Sequence, residues 1–235
     1  MGLLVVGKPA DWEGTKKHRQ LVKKCGVEQF LSIYKANKDK KNAVLRWGDE
    51  VEYFVCVLNE EEGVAKLPLR APEILDGLHE FRESLLATSA NECVKCAKNI
   101  IWHPEYANWM LEATPGYPYK ENIENLLDVE ANMILRRKCI QKFLRPGEQL
   151  FTMTSFPRMG TPEFTVPWHP PTPYAVDGAS LSSYMPDEVI NPHPRFPTLT
   201  ANIRQRRGER VNIVVPAYRD QGTAAALRRQ ADAIA

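Results

Sequence analysis

Apolar and polar residues along the chain follow two periods, and each period predicts an element type. Residues 11–25 have a helical pattern, with Asp11 as N-cap and Gly26 as stop. Val27 to Asp39 reads as a second helix, with Phe30, Leu31, Ile33 and Tyr34 on one apolar stripe. The stretch "WGDEVEYFVCVL" (Trp47–Leu58) predicts a strand that is apolar on both faces. Asn59–Gly63 is a polar turn, and Val64–Leu69 is the return strand. Residues 72–87 read as a helix and Asn108–Thr114 as a strand. The longest helical pattern covers residues 121–144, with Ile123, Leu126, Leu127, Met133 and Ile134 assigned to its buried side and Pro146–Gly147 ending it. Leu150–Phe156 is a strand, and the prolines scattered through 162–173 predict an ordered loop. A short helix over 198–208 with a Gly stop and a strand over Arg210–Tyr218 complete the pattern. No internal repeat is visible. The mixture predicts an α+β chain.

Composition narrows the classes. The 235 residues are 43% hydrophobic and 26% charged, with a net charge of +2, which is ordinary globular usage. Arg is concentrated after residue 200, where seven Arg face Glu209, Asp220 and Asp232. Aromatic interleaving is missing there, so nucleic acid is not an expected partner. Arg204, Arg206 and Arg207 read as a solvated helix end favoured by the helix dipole. No apolar run reaches membrane-spanning length, so no membrane partner is expected. Five cysteines without framework spacing favour a reducing compartment, and the cytosol is the default. Cys93 and Cys96 form a lone C-x-x-C with no second pair, and read as two ordinary thiols. His18, His79 and His169 fall in no motif, while His103 and His193 flank prolines and shape turns.

The chemistry concentrates in carboxylates. Asp49, Glu50 and Glu52 stand at the mouth of the doubly apolar strand. Glu50 and Glu52, two apart, share one face with Phe54, Cys56 and Leu58, while Val51, Tyr53, Val55 and Val57 share the other. The acidic mouth is expected to open into a sheltered cavity. Two ionised carboxylates so close repel by roughly 2–3 kcal/mol at an effective dielectric of 20. A shared proton, an Arg or a hard cation offsets that cost, and a solvated strand end is the plain alternative. Glu105 and Glu112 form a second acidic pair, with Glu105 brought in from the turn that Pro104 makes. Two acidic sites suggest a phosphoryl-transfer centre holding several Mg²⁺ ions.

These segments carry a family likeness. "WGDEVEY" at Trp47, "HPEYANWMLEATPGYPY" at His103, "VEANM" at Val129, "TSFPRMG" at Thr154 and "PDEVINPHPRFPTLTANIRQRRGERV" at Pro186 stand in order after an initial "MGLL". Together they resemble the catalytic subunit of eukaryotic glutamate–cysteine ligase, in its N-terminal portion. The resemblance implies a glutamine-synthetase-like fold, with a mostly antiparallel sheet and flanking helices that is incomplete at its C-terminus. It covers residues 1–220 as part of the catalytic domain and leaves 221–235 as a low-complexity tail. It implies ATP-dependent joining of the γ-carboxylate of glutamate, through an acyl phosphate, to the amine of cysteine. This is the first step of glutathione biosynthesis. Glu50, Glu52, Glu105 and Glu112 take the family's Mg²⁺-binding positions, with Glu50 and Glu52 also catalytic, and Arg158 and Arg195 are candidate substrate-binding cations. ATP must be held by metal and sheet, because no Gly-rich phosphate loop is present. The expected partners are glutamate, cysteine, ATP and a ligase or modifier subunit. The alternative is a truncated, inactive paralogue that acts as a partner-binding module through an open sheet edge.

Overall fold

The structure, a computed structural model, describes residues 7–41, 43–87, 99–173 and 178–209. The doubly apolar run becomes its central strand, β2 (Val51–Asn59), entered from the two-residue strand β1 (Arg46–Trp47) across a corner at residues 48–50. A turn ending at Gly63, whose φ of 61° suits a residue without a Cβ, leads into β3 (Val64–Pro68). Helix α2 (Ala71–Ala87) follows, then β4 (Ile100–Pro104), β5 (Met110–Pro115), β6 (Tyr119–Lys120) and helix α3 (Ile123–Gln141). β7 (Glu148–Phe151), β8 (Thr165–Val166), a 3-10 turn (Asp187–Val189) and helix α4 (Arg195–Arg207) close the described chain. A helix α1 (Trp12–Asn37) precedes them all.

β2 pairs antiparallel with β3, β5 and β7, and β4 pairs antiparallel with β5. β8 runs parallel to β3, held by Leu67 N–H to Phe164 O and Leu69 N–H to Val166 O, so the sheet is mixed. The chain is α+β. Side chains alternate across β2 and divide the core in two. Tyr53 and Val55 join Leu111, Ala113, Trp102 and Leu150 under α2 and α3. Phe54 and Cys56 join Trp109, Phe156, Phe164 and Phe196 on the other face. The strand is buried on both faces because each carries a separate layer.

Several expectations need correction. Gly26 does not stop a helix: α1 runs unbroken for 26 residues. A mid-helix Gly costs about 1 kcal/mol, too little to end a helix with no proline and good formers on both sides. Asp11 caps it as read, accepting from Gly14 N–H. None of its residues is buried, so the stripe of Phe30, Leu31, Ile33 and Tyr34 faces outward. In α3 four of the five residues expected on the buried side are exposed, and Met133 is partly buried. Arg136, Cys139 and Ile140 are buried, whereas Ile123, Leu126, Leu127 and Ile134 are exposed. The apolar stripe misled because the inward face is built around an arginine. β4 is a strand where the pattern around Pro104 predicts a turn. β7 ends at Phe151 rather than Phe156, and α4 starts at Arg195, before the pattern at 198. Gly208 ends α4 as expected, with φ 72°. Arg210–Tyr218, Cys93, Cys96 and the tail lie outside the described residues.

Candidate carboxylate site

Sheet register assembles the acids. β2 and β5 place Glu52 directly opposite Glu112. β4 lies on the other side of β5 with His103 opposite Glu112, and Glu105 follows two residues later, just past the strand end. Directly opposed side chains have Cβ atoms about 4.5–5.5 Å apart. Glu52 and Glu112 on neighbouring strands therefore meet at one end of the sheet, where Glu105, just past β4, joins them. The Glu105 carboxyl hydrogen-bonds that of Glu112 and lies in the field of Glu52. Glu105 Oε2 also accepts the Tyr106 N–H at 3.0 Å.

Burial is graded across the group. Glu112 is 2% exposed, Glu105 is half-buried, and Glu50 and Glu52 face solvent. The mouth is thus open at its rim and closed at its floor, not sheltered throughout. Burial raises the Glu105 carboxyl to about 7. The hydrogen bond to Glu112 and the charges of Glu52 and Glu112 push the same way, and the Tyr106 N–H opposes them. Desolvation leads and the neighbouring carboxylates add to it, so this carboxyl holds its proton near neutral pH. Glu50 is not a strand residue: it sits at the corner before β2, on the wall of a cleft of about 590 Å³ with Trp47, Asp49, Thr114, Pro115 and Pro118. Among the described residues, no three acid, imidazole or thiol side chains already surround a common point as metal ligands do.

The third acid of the opening motif has a different role. Asp49 pairs with Arg136, whose Nη2 donates to Oδ2 at 3.0 Å while Nη1 donates to Oδ1. Arg136 is fully buried. It also donates to Ala113 O at 2.9 Å and Asn132 Oδ1 at 2.7 Å, and reaches the Tyr119 hydroxyl at 3.4 Å. Removing one partner of such a pair typically costs about 3–5 kcal/mol, because the other is left as a buried charge. Sequence reasoning missed Arg136. Its signal was the i, i+4, i+7, i+8 set of Asn132, Arg136, Cys139 and Ile140, which only the partner on a distant strand makes legible.

Of the two candidate cations, Arg158 lies along the sheet from the acids, and Arg195 opens α4, next to Phe196, whose ring packs on Tyr106. Arg158 donates to Ala65 O at 3.1 Å, and Ala65 stands opposite Leu58, six residues along β2 from Glu52. That is about 20 Å at the usual strand rise. Arg195 is exposed at the start of α4, its N–H on His193 Nδ1 at 3.2 Å. Arg204 is not simply solvated. It donates to Gly178 O and Ala179 O, tying α4 to that loop, while Arg206 and Arg207 are exposed. No described helix is long and apolar enough to cross a membrane.

The fold and site define an α+β chain whose sheet gathers carboxylates from two neighbouring strands and from the end of a third. Comparison with known proteins then gives the family. The glutamate–cysteine ligase family model matches residues 1–233. The glutamate–cysteine ligase catalytic subunit of Homo sapiens is 46% identical over 223 residues, covering 95% of this chain and 33% of that protein. The glutamate–cysteine ligases of Neurospora crassa and Saccharomyces cerevisiae are 40% and 37% identical, over 31% and 33% of their lengths. The chain belongs to the glutamate–cysteine ligase family, and it spans about a third of the length of these relatives.

Proposed function

We propose that this chain is the N-terminal portion of an ATP-dependent glutamate–cysteine ligase on a glutamine-synthetase-like sheet, acting in glutathione biosynthesis. We place that portion at residues 1–220, with 221–235 as a tail. The observation that carries the reading is the meeting of Glu52, Glu105 and Glu112 at one sheet end, with Glu50 at its rim. The donor set suits a hard cation: every group is a carboxylate, and Mg²⁺ takes oxygen ligands, usually one or two carboxylates plus phosphates. Burial, with the neighbouring Glu112 and Glu52 adding to it, keeps a proton on Glu105, and a dication in the proton's place would offset the negative charge of the group. Bound there, Mg²⁺ supplies charge neutralisation and alignment for the phosphates of ATP.

The chain's own residues do the rest. Glu52, Glu105 and Glu112 would hold the cation, Glu105 losing its proton as it did so, and the Tyr106 N–H fixes one Glu105 oxygen. The γ-carboxylate of glutamate attacks the γ-phosphorus of ATP, giving an acyl phosphate and ADP. The amine of cysteine then attacks the acyl carbon, phosphate leaves, and the amine proton is released. Arg158 and Arg195 are proposed substrate-binding cations by motif. The test is phosphate release from ATP and Mg²⁺ with the purified chain. We expect release that needs both glutamate and cysteine, and its loss in Glu52→Ala. Release that survives Glu52→Ala overturns the reading, and no release from the unaltered chain favours the inactive, partner-binding alternative.

A further inference from the structure

Arg136 joins the two backbone segments that carry the outermost and the innermost of the four acids. Its fork holds both oxygens of Asp49, the residue before Glu50, at the corner entering β2. The same guanidinium donates to Ala113 O, the residue after Glu112, at 2.9 Å. Its own position is fixed from behind. Asn132, one turn earlier on α3, accepts from Arg136 Nε at 2.7 Å, and its amide donates to Asn99 O, just ahead of β4, at 2.9 Å. Tyr119 contributes its hydroxyl, and its ring packs on Trp47 at 4.8 Å, closing the corner from β1. A bidentate guanidinium–carboxylate pair fixes both distance and plane, which a lysine point charge does not. Glu50 lies outside the strand ladder, so the hydrogen bonds of β2 do not place it.

Resting on the magnesium reading above, we infer that Arg136, with Asp49, is a positioning residue for the cation site: it holds the Glu50 corner against the Glu112 strand. It touches neither cation nor substrate. Because Asp49 neutralises it, its effect is geometric, and removing both partners leaves the local net charge unchanged.

The test measures Mn²⁺ affinity of the 235-residue chain by electron paramagnetic resonance, with circular dichroism and urea unfolding as fold controls. Glu112→Gln defines the loss of the site. In the charge-balanced double variant Asp49→Leu plus Arg136→Met, we expect Mn²⁺ affinity to fall at least about tenfold, the usual scale for residues that orient metal ligands. Arg136→Lys keeps the charge but loses the fork, and we expect an intermediate loss and a broadened Mn²⁺ spectrum. A folded double variant that binds within about twofold of the unaltered chain overturns the inference. Should the double variant not fold, Arg136→Lys decides by the same measure. Unaltered chain that binds no better than Glu112→Gln overturns the magnesium reading, and this inference with it.

Discussion

Glu105→Gln removes a carboxyl whose surroundings favour keeping its proton. In the folded chain Glu105 titrates at about 7, against an ordinary value of 4.5. The folded state therefore binds a proton that the unfolded state has already released between those pH values. Stability from this group is full below pH 4.5, falls as pH rises, and is gone above about 7. Each pH unit in that window corresponds to roughly 1.4 kcal/mol for a fully sheltered group. Glu105 is only half-buried, and solvent screening reduces the total to about 1.5 kcal/mol. Gln keeps the shape and a hydrogen bond to Glu112 without the charge. Urea unfolding at pH 5 and pH 8, without divalent cations, should show Glu105→Gln gaining about 1–2 kcal/mol over the unaltered chain at pH 8 and little at pH 5. A gain that does not change with pH, or that is larger at pH 5, refutes the reasoning.

Further outcomes follow from the packing. A Cβ on Gly77 would stand 2.7 Å from Phe143 Cε1, and that ring is held edge-on against Phe81. Gly77→Ala should therefore lose about 1 kcal/mol in chemical denaturation despite its better helix propensity, and Gly77→Ala with Phe143→Leu should recover part of it. Burial pushes the Cys56 thiol up to about 11, whereas Cys25 is exposed. Peptide mapping after brief labelling with a thiol reagent at pH 8 should find Cys25 modified and Cys56 protected until urea is added.

The sequence made the sheet's centre legible and left its surroundings obscure. In β2 the apolar residues alternate with apolar neighbours, so both faces could be assigned, and the two cores contain the residues expected of each. Asp11, Gly63 and Gly208 act locally, through one side-chain bond or one backbone angle, and were readable for that reason. What failed depended on distant partners. An arginine is buried in α3 where Asp49, 87 residues earlier, meets it, so the apolar pattern points Ile123, Leu126, Leu127 and Ile134 inward whereas they face out. The family motifs named the four glutamates, but no local period places Glu105 beside Glu112. That contact needs β4, an element whose Ile100–Pro104 run begins and ends among turn residues. Asp49 shows the opposite limit: it lies in the same acidic run as Glu50 and Glu52, and its arginine gives it a structural part.

Anomalous diffraction from crystals of this chain soaked in Mn²⁺ locates the cation itself. A peak is expected about 2.0–2.2 Å from carboxylate oxygens of Glu112 and at least one of Glu52 and Glu105. Ordered glutamates with no peak among them, or a peak bound only by other residues, would contradict the magnesium reading.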